Sequence, residues 1–147
     1  MPEPSLRERA LGYLTRREHS RTELARKLAA YCEQRAEIDA LLDDFTQRGW
    51  LSEARFAEMV VQARSGRYGS RRIVHELREK GVSDEAIAAV LPAVQETELE
   101  TARAVWAKKF GTVAADAKDK AKQMRFLASR GFSQEIIFKV LKGFDPM

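Results

Sequence analysis

The sequence predicts an all-α protein of three tandem three-helix repeats that form an elongated, curved array. One apolar pattern with the i, i+3, i+4, i+7 spacing of a buried helix face occurs three times. A leucine stands ten residues before each copy, and these leucines are about 50 residues apart. The faces are formed by Ile38, Leu41, Leu42 and Phe45, by Ile87, Val90, Leu91 and Val94, and by Ile137, Val140, Leu141 and Phe144; the leucines are Leu28, Leu77 and Leu127.

The first repeat is predicted to span residues 5–51, with its last helix ended by Gly49. The turn after its second helix departs from the other two copies. Cys32 stands where a glycine is expected, and Gln34 stands where a serine is expected. We therefore expect this helix to end differently from its counterparts. The apolar stripe of the leading helix consists of Leu6, Ala10, Tyr13 and Leu14.

The second repeat is predicted to span residues 52–94 and to begin with Ser52 as a helix cap. Gly81 is expected to end its second helix in the left-handed conformation, because glycine has no Cβ to clash there. Ser83 can then accept hydrogen bonds from the free N–H groups of the third helix. The stripe of the leading helix consists of Phe56, Met59, Val60 and Ala63.

The third repeat is predicted to span residues 95–144, and it repeats the same turn with Gly131 and Ser133. Pro92 and the acidic segment 96–100 mark the junction before it. Because an amphipathic helix pair cannot bury its apolar stripe alone, neighbouring repeats are expected to pack together. A compact single bundle of the same helices is the alternative. The leading stripe consists of Ala102, Val105 and Trp106.

The composition limits the class of protein. Of the 147 residues, 44% are hydrophobic and 33% are charged, which is typical of globular chains. We expect no membrane contact, since no run approaches the roughly 18 apolar residues of a spanning helix. Residues 1–5 lack the profile of a secretory signal, which favours a cytoplasmic location. The single Cys32 excludes an internal disulfide, and with only His19 and His75 beside it we expect no metal site.

Charge alternates along the chain. The net charge is +4 over residues 6–31, −4 over 33–53, +4 over 62–80, −5 over 84–100 and +6 over 103–130. The first two helices of each repeat are therefore basic, and the third helices of the first two repeats are acidic. Equivalent helices line up in a stacked array, so this alternation predicts a basic surface along the molecule that suits a phosphate backbone or an acidic protein.

The densest basic patch is the segment 64–72, between the first two helices of the second repeat. Its four arginines can contact phosphates, its two glycines allow a close backbone approach, and Tyr68 can stack on a base. The alternative is that the charges belong to solvated helix faces with ordinary i, i+4 ion pairs.

Two nucleic-acid-binding motifs fail on physical grounds. Residues 66–69 match the backbone-clamping loop of KH domains, but that fold needs a sheet and no strand pattern is evident. Residues 77–83 before an apolar helix look like a helix-turn-helix reader. That helix would begin with Asp84 and Glu85 and has no basic residue before Pro92, so it would meet phosphates with the wrong sign.

Catalytic motifs are also missing from the sequence. It has no Walker-type phosphate loop, no His-Glu-x-x-His zinc motif and no cysteine with a plausible histidine partner. We expect no enzyme activity and no cofactor, and we interpret His75 as a surface or interface residue. The larger aromatic side chains are interpreted as packing residues; they are Trp50, Trp106, Phe110, Phe126 and Phe138.

Several segments together resemble the bacterial RecX regulatory proteins. Residues 53–57 (EARFA), 69–73 (GSRRI) and 76–81 (ELREKG) are similar to the central signature of that family. Residues 20–28 and 130–133 resemble its first and third repeats. The resemblance extends from about Leu6 to Leu141. It implies three tandem three-helix repeats and no catalytic residues, and the family's glycine–arginine motif maps to Gly69, Arg72 and Ile73.

The resemblance also implies a function. Proteins of this family bind the RecA recombinase and its nucleoprotein filament, along the helical groove of the filament. They damp ATP hydrolysis, strand exchange and the RecA-promoted cleavage of the LexA repressor, and some members also bind DNA. The expected activity here is thus negative modulation of RecA, within DNA repair, homologous recombination and the SOS response.

The expected contact residues for RecA or its DNA lie mainly in the second repeat. They are Arg64, Arg67, Tyr68, Arg71 and Arg72, with Arg16, Arg17, Arg21, Lys118, Lys122 and Arg125 from the other repeats. We expect the protein to act as a monomer. Two other classes stay open, which are a non-sequence-specific binder of single- or double-stranded DNA and a helical adaptor for an unrelated acidic protein.

Overall fold

The computed structural model describes residues 2–142, and within that range the chain forms eight α-helices and no strands. The prediction of an all-α fold is therefore confirmed. The helices are α1 (Leu6–Arg16), α2 (Arg21–Leu28), α3 (Arg35–Gln47), α4 (Glu53–Arg64), α5 (Ser70–Glu79), α6 (Asp84–Lys109), α7 (Ala117–Ser129) and α8 (Gln134–Lys142). Phe144 of the third predicted apolar face lies outside the described residues.

The first unit consists of α1, α2 and α3, and reciprocal caps fix the start of its first two helices. The hydroxyl of Ser5 accepts from the N–H of Glu8, while the Glu8 carboxylate accepts from the N–H of Ser5. Ser20 and Glu23 form the same arrangement at α2. Each box satisfies two N–H groups that would otherwise lack partners at a helix N-terminus.

Two helix ends confirm the glycine turns that the sequence predicts. The φ angles of Gly81 and Gly131 are +78° and +88°, which lie in the left-handed region. At the first of these turns the N–H of Gly81 donates to the carbonyl of Arg78, and the N–H of Val82 donates to the carbonyl of Leu77. This pair of bonds is the Schellman motif, and it satisfies carbonyls that the helix itself leaves free.

The second helix of the first unit ends without a left-handed residue, as its sequence predicts. Helix α2 stops at Leu28, and Ala29 forms the C-cap in the right-handed conformation. The N–H of Tyr31 then donates to the carbonyl of Leu28. Gln34 precedes α3, and its side chain makes no capping hydrogen bond.

Helix α6 crosses the second junction without a break, which the sequence does not predict. Its 26 residues include Pro92 and the expected boundary between residues 94 and 95. Proline lacks the N–H for one helical bond, which disfavours it in a helix interior. Here α6 is held on both sides of that position, since it packs on α4 and α5 and also on α7 and α8. The second and third units therefore share one continuous helix. The last expected helix of the second unit and the first of the third are fused, so within residues 2–142 eight helices replace the nine expected.

Three separate hydrophobic cores follow one another along the chain, so the alternative of a single compact bundle is wrong. The first lies among α1–α3, the second among α4, α5 and the first half of α6, and the third among the rest of α6, α7 and α8. Their largest fully buried side chains are respectively Phe45, Phe56 and Phe132. Each unit thus buries its own apolar stripes, as expected for a tandem array.

The packing interpretation of the aromatic residues is right for Trp106 and wrong for Phe138. Trp106 is buried, whereas 59% of Phe138 is exposed on α8. Trp50 is also partly exposed, and its ring packs edge-on against Phe45 with the Arg7 and Arg48 guanidiniums over it. Searching residues 2–142 for a helix apolar and long enough to span a bilayer finds none.

Candidate functional site

The basic loop joins α4 to α5 at the boundary between the second and third units. Gly66, with a φ of +85°, reverses the chain after α4. The N–H groups of Arg67 and Tyr68 both donate to the carbonyl of Arg64, which closes the turn. The loop is therefore an ordered feature whose shape is set by backbone hydrogen bonds.

Arg64 is used inside the second unit. Its Nε and Nη2 atoms lie 2.9 and 3.1 Å from the two carboxylate oxygens of Glu76, which ties the end of α4 to α5. This pairing raises the pKa of Arg64 above its usual value, chiefly through the hydrogen bond to Glu76. A two-point bond of this kind fills the guanidinium fork, so Arg64 is the least available of the predicted contact residues.

Tyr68 is half-buried and surrounded by cations. The guanidinium carbons of Arg72, Arg130 and Arg67 lie 4.2, 5.6 and 5.7 Å from the centre of its ring. Cations at these distances are attracted by the π electrons of the ring. The sequence predicts that Tyr68 stacks on a base, whereas the structure gives its ring a partner within the protein. These contacts place three guanidiniums around the ring, and a contact of Tyr68 with RecA or DNA stays a prediction.

Three arginines, one in the loop and two in the first turn of α5, remain on the surface. Arg67, Arg71 and Arg72 are exposed, and none of them forms an ion pair with a carboxylate within residues 2–142. Arg67 donates to the carbonyl of Ala63 at 2.8 Å, which leaves other N–H groups of its guanidinium facing outward. Together they form a compact basic surface, which we call the arginine loop (residues 67–72).

The arginine loop is fastened to the third unit by its backbone. The N–H of Gly69 donates to the carbonyl of Arg130 at 2.9 Å, and the N–H of Arg71 donates to the carbonyl of Gly131 at 3.0 Å. A Cβ at Gly69 would lie 2.4 Å from the carbonyl oxygen of Gly131, so this approach requires glycine. The signature glycine at position 69 is thus explained by contact between units.

A buried carboxylate on α6 fixes the other side of the loop. Glu98 is 5% exposed, and one of its oxygens accepts from the N–H of Ser70 at 3.1 Å and from its hydroxyl at 2.9 Å. Ser70 is the first residue of α5, so Glu98 acts as an N-terminal cap supplied by another helix. The arginine loop is therefore positioned from both α6 and α7.

Two charged residues of the segment 53–57 also have structural roles. Ser83 is the N-terminal cap of α6. The carboxylate of Glu53 accepts hydrogen bonds from the N–H and the hydroxyl of this serine. Arg55 donates to Glu18 at 2.9 Å and to the carbonyl of Gly49 at 2.7 Å, which connects the second unit to the first. Neither residue is part of the arginine loop.

In the first unit, two of the three predicted contact residues are in ion pairs. Arg17 binds both carboxylate oxygens of Glu23, at 3.0 and 2.6 Å. Arg21 lies 2.8 Å from a carboxylate oxygen of Asp43 on α3. Arg16 is exposed and makes no ion pair in the part of the chain that the structure describes. The predicted basic surface is therefore weakest in this unit.

In the third unit, the predicted cations share one surface of α7. Lys118, Lys122 and Arg125 follow the i, i+4, i+7 spacing of a helix face and are all exposed. No ion pair involves them within residues 2–142. This face adds positive charge to the third unit that no ion pair among the described residues neutralises.

Sequence reasoning missed three cations that the fold brings close to the arginine loop. Lys108 and Lys109 end α6, and Arg130 caps α7 at its C-terminus. With Arg67 they line a groove of about 420 Å³ whose apolar wall contains Val105 and Phe126. We call it the junction groove. The only sequence signal for it is the strong positive charge of residues 103–130, which does not identify the members.

Three family models match the chain in order, and their limits agree with the units of the structure. The model described as the RecX first three-helix domain matches residues 7–45, the second domain matches residues 52–91 and the third matches residues 96–141. The gap between the last two matches falls within α6.

Curated relatives and a solved structure extend this likeness over nearly the whole chain. The regulatory protein RecX of Leptothrix cholodnii is 50% identical over 141 residues, covering 96% of this chain and 90% of the relative. That of Ralstonia nicotianae is 46% identical over 143 residues, covering 97% and 90%. The crystal structure of RecX from Lactobacillus salivarius matches with a TM-score of 0.82 at 21% identity, covering 95% of this chain and 94% of that one, which shows the shared fold.

Proposed function

Because the chain belongs to the RecX family of regulatory proteins, we propose that it is a negative modulator of the RecA recombinase. It binds in the helical groove of the RecA–DNA filament and inhibits ATP hydrolysis, strand exchange and LexA cleavage. It acts in the cytoplasm as a monomer, without catalysis and without a cofactor. RecA, its nucleoprotein filament and DNA are the partners in this proposal.

The observation that carries the proposal is the arginine loop. Arg67, Arg71 and Arg72 are exposed, while Gly69, Ser70 and the backbone of the third unit hold the loop in one conformation. A preorganised cationic surface loses less conformational entropy on binding than a flexible one. It is suited to the phosphates of the filament DNA and to carboxylates on RecA.

The tandem arrangement suggests how binding could oppose the recombinase. Three units in series can contact more than one RecA protomer, and the shared helix α6 couples the second unit to the third. A protein that bridges protomers in this way resists the changes between them that accompany ATP turnover. The exposed cations of α7 and Arg16 add contacts on either side of the arginine loop.

The test is ATP hydrolysis by the cognate RecA on single-stranded DNA, with this protein titrated well below the recombinase concentration. We expect inhibition at substoichiometric ratios that survives a large excess of DNA. The triple variant R67E/R71E/R72E should lose inhibition while its helix content is unchanged. The matched control reverses three exposed cations outside the site, Arg26, Arg103 and Lys142, and should inhibit as the wild type does. Inhibition retained by the arginine-loop variant would place the contact elsewhere.

Direct binding to DNA is the second candidate, and the α7 face of Lys118, Lys122 and Arg125 favours it. Such binding would be independent of sequence and would weaken steeply as salt is raised. In the same assay it predicts inhibition that disappears when DNA is in excess, because the protein then competes only for the strand. If ATP hydrolysis is unchanged at every ratio, both RecA modulation and competition for DNA are rejected. The remaining class is then a helical adaptor for an unrelated acidic protein.

A further inference from the structure

The junction groove combines positive charge with an apolar wall. Its four cations come from three separate segments, namely Arg67 from the arginine loop, Lys108 and Lys109 from α6, and Arg130 from α7. The apolar side chains in its lining are Ala104, Val105 and Phe126. Within residues 2–142, no carboxylate lines the groove and none forms an ion pair with these four cations. It is therefore a cationic site that the fold does not neutralise.

The partial negative charges at the nearby helix C-termini are too small to neutralise the four cations of the groove. Helices α4, α6 and α7 all end near the groove, and each C-terminus contributes roughly half a negative charge. Three such termini together contribute about −1.5 charges, which is less than the +4 of the side chains. The groove therefore keeps a net positive charge. An anionic partner is needed to neutralise the remainder.

Phe126 is the aromatic residue that lines the groove within residues 2–142, and two cations lie close to its ring. Arg130 lies 5.1 Å from the ring centre of Phe126, and Lys109 lies 5.5 Å from it. Phe110 also contacts this ring, with the two ring planes at 90° and their centres 5.4 Å apart. Single-stranded nucleic acid is usually held by stacking bases on free aromatic faces. A single ring with two cations beside it does not provide the series of free faces that stacked bases need.

The rest of the lining also fits a peptide better than a phosphodiester backbone. Phosphate oxygens are commonly bound by hydroxyl and amide side chains together with arginine and lysine. Among the described residues, no serine, threonine, asparagine or glutamine lines the groove. Instead Val105 and Phe126 provide an apolar contact between the cations, which suits a side chain such as phenylalanine or leucine.

We propose that the junction groove binds an acidic segment of a protein partner, whose carboxylates pair with Arg67, Lys108, Lys109 and Arg130 while one apolar side chain packs against Val105 and Phe126. This adds a protein-recognition site beside the arginine loop. It goes beyond the proposed action on RecA, and its test uses no recombinase, so either proposal can fail while the other stands.

The test is fluorescence anisotropy with the full-length protein and three labelled probes. The first is a ten-residue peptide of Asp and Glu with a central Phe, the second has Gly in place of Phe, and the third is a ten-nucleotide oligo(dT). We expect the Phe peptide to bind at least fivefold more tightly than the Gly peptide. The variant K108Q/K109Q should weaken the Phe peptide about tenfold, since both lysines are exposed and their loss leaves the cores intact.

The control variant R26Q/K142Q removes two exposed charges outside the groove and should bind the Phe peptide as the wild type does. Equal weakening by both variants would mean that only net charge matters and would overturn the proposal. So would equal affinity for the two peptides, or the absence of peptide binding. Loss of oligo(dT) binding in K108Q/K109Q with unchanged peptide binding would assign the groove to nucleic acid instead.

Discussion

The carboxylate of Glu98 caps a helix that begins 28 residues earlier in the chain, through two hydrogen bonds from Ser70. Both residues are buried, so the bonds are shielded from water. Because α6 continues from the second unit into the third, Glu98 also links the shared helix to the arginine loop. Together with the backbone bonds to Arg130 and Gly131, this contact explains how an exposed basic loop can keep a fixed shape.

Replacing Glu98 should therefore destabilise the protein. Glu98→Ala leaves the N–H and hydroxyl of Ser70 without their acceptor, and we expect a loss of about 1–3 kcal/mol in the free energy of unfolding. Glu98→Gln keeps one amide oxygen as an acceptor and should cost less. Urea unfolding followed by circular dichroism measures both variants. Equal stability of Glu98→Ala and the wild type would show that the cap contributes nothing.

The close approach of the backbones at Gly69 and Gly131 predicts that one methyl group added at Gly131 strongly destabilises the protein. Gly131→Ala places a Cβ 2.3 Å from the Cβ of Arg72 and forces a left-handed residue, so we expect a loss of at least about 2 kcal/mol. Gly12→Ala is the matched control, since its Cβ would meet nothing within 4 Å inside α1. That variant should be stabilised by up to about 1 kcal/mol. Thermal unfolding of the two variants gives opposite shifts in Tm, and the same shift in both would contradict the junction geometry.

The stability of the first unit should fall in acid because of Glu23. Burial alone would raise the pKa of this carboxyl, but the Arg17 hydrogen bonds and the nearby charges of Arg17 and Lys80 lower it to about 2. A lowered pKa gives stability that is present above the usual value of 4.5 and is lost as the pH falls toward 2. Arg17 is 41% exposed, so the expected contribution is on the order of 1–2 kcal/mol. Arg17→Gln should flatten the pH dependence of urea unfolding between these limits, and an unchanged slope would argue against the pair.

His19 predicts a second pH effect, nearer neutrality. Burial lowers the pKa of this imidazole below its usual 6.5, and Lys27 Nζ lies 2.9 Å from its Nε2 atom. The folded chain therefore binds this proton less readily than the unfolded chain, so the stability contributed by His19 is complete above pH 6.5 and declines below it. An NMR titration of the His19 ring should give a midpoint below pH 6.5, with most of the rings neutral at that pH. A charged ring at that pH would contradict the prediction.

Substitutions of Arg64 and Arg71 should affect different properties, namely stability for Arg64 and inhibition of RecA for Arg71. Arg64→Gln breaks the two-point bond to Glu76 and should lower the free energy of unfolding by about 1 kcal/mol. Arg71→Gln removes an exposed side chain and should leave Tm unchanged while weakening inhibition of RecA. Thermal unfolding and the ATP hydrolysis assay on both variants test this. The reverse assignment, with Arg71 needed for folding, would remove the arginine loop as the contact surface.

The sequence by itself determined the all-α class, the three units and several helix ends. These features depend on local rules, since apolar spacing, a left-handed glycine such as Gly81 and a serine cap such as Ser83 act over a few residues. The first-unit turn at Cys32 could be singled out for the same reason, because it lacks the local signal. The resemblance to a family added the regulatory role.

Only the tertiary structure decided which cations stay free of ion pairs within residues 2–142. Arg64 forms an ion pair with Glu76, twelve residues away, and Arg21 forms one with Asp43. Arg71 forms no such pair within residues 2–142. The junction groove exists because α6 runs through Pro92 and brings Lys108 beside Arg67 and Arg130. Ion pairing and groove formation depend on distances between side chains that are remote in sequence. A periodic pattern carries no information on those distances until the helices are packed.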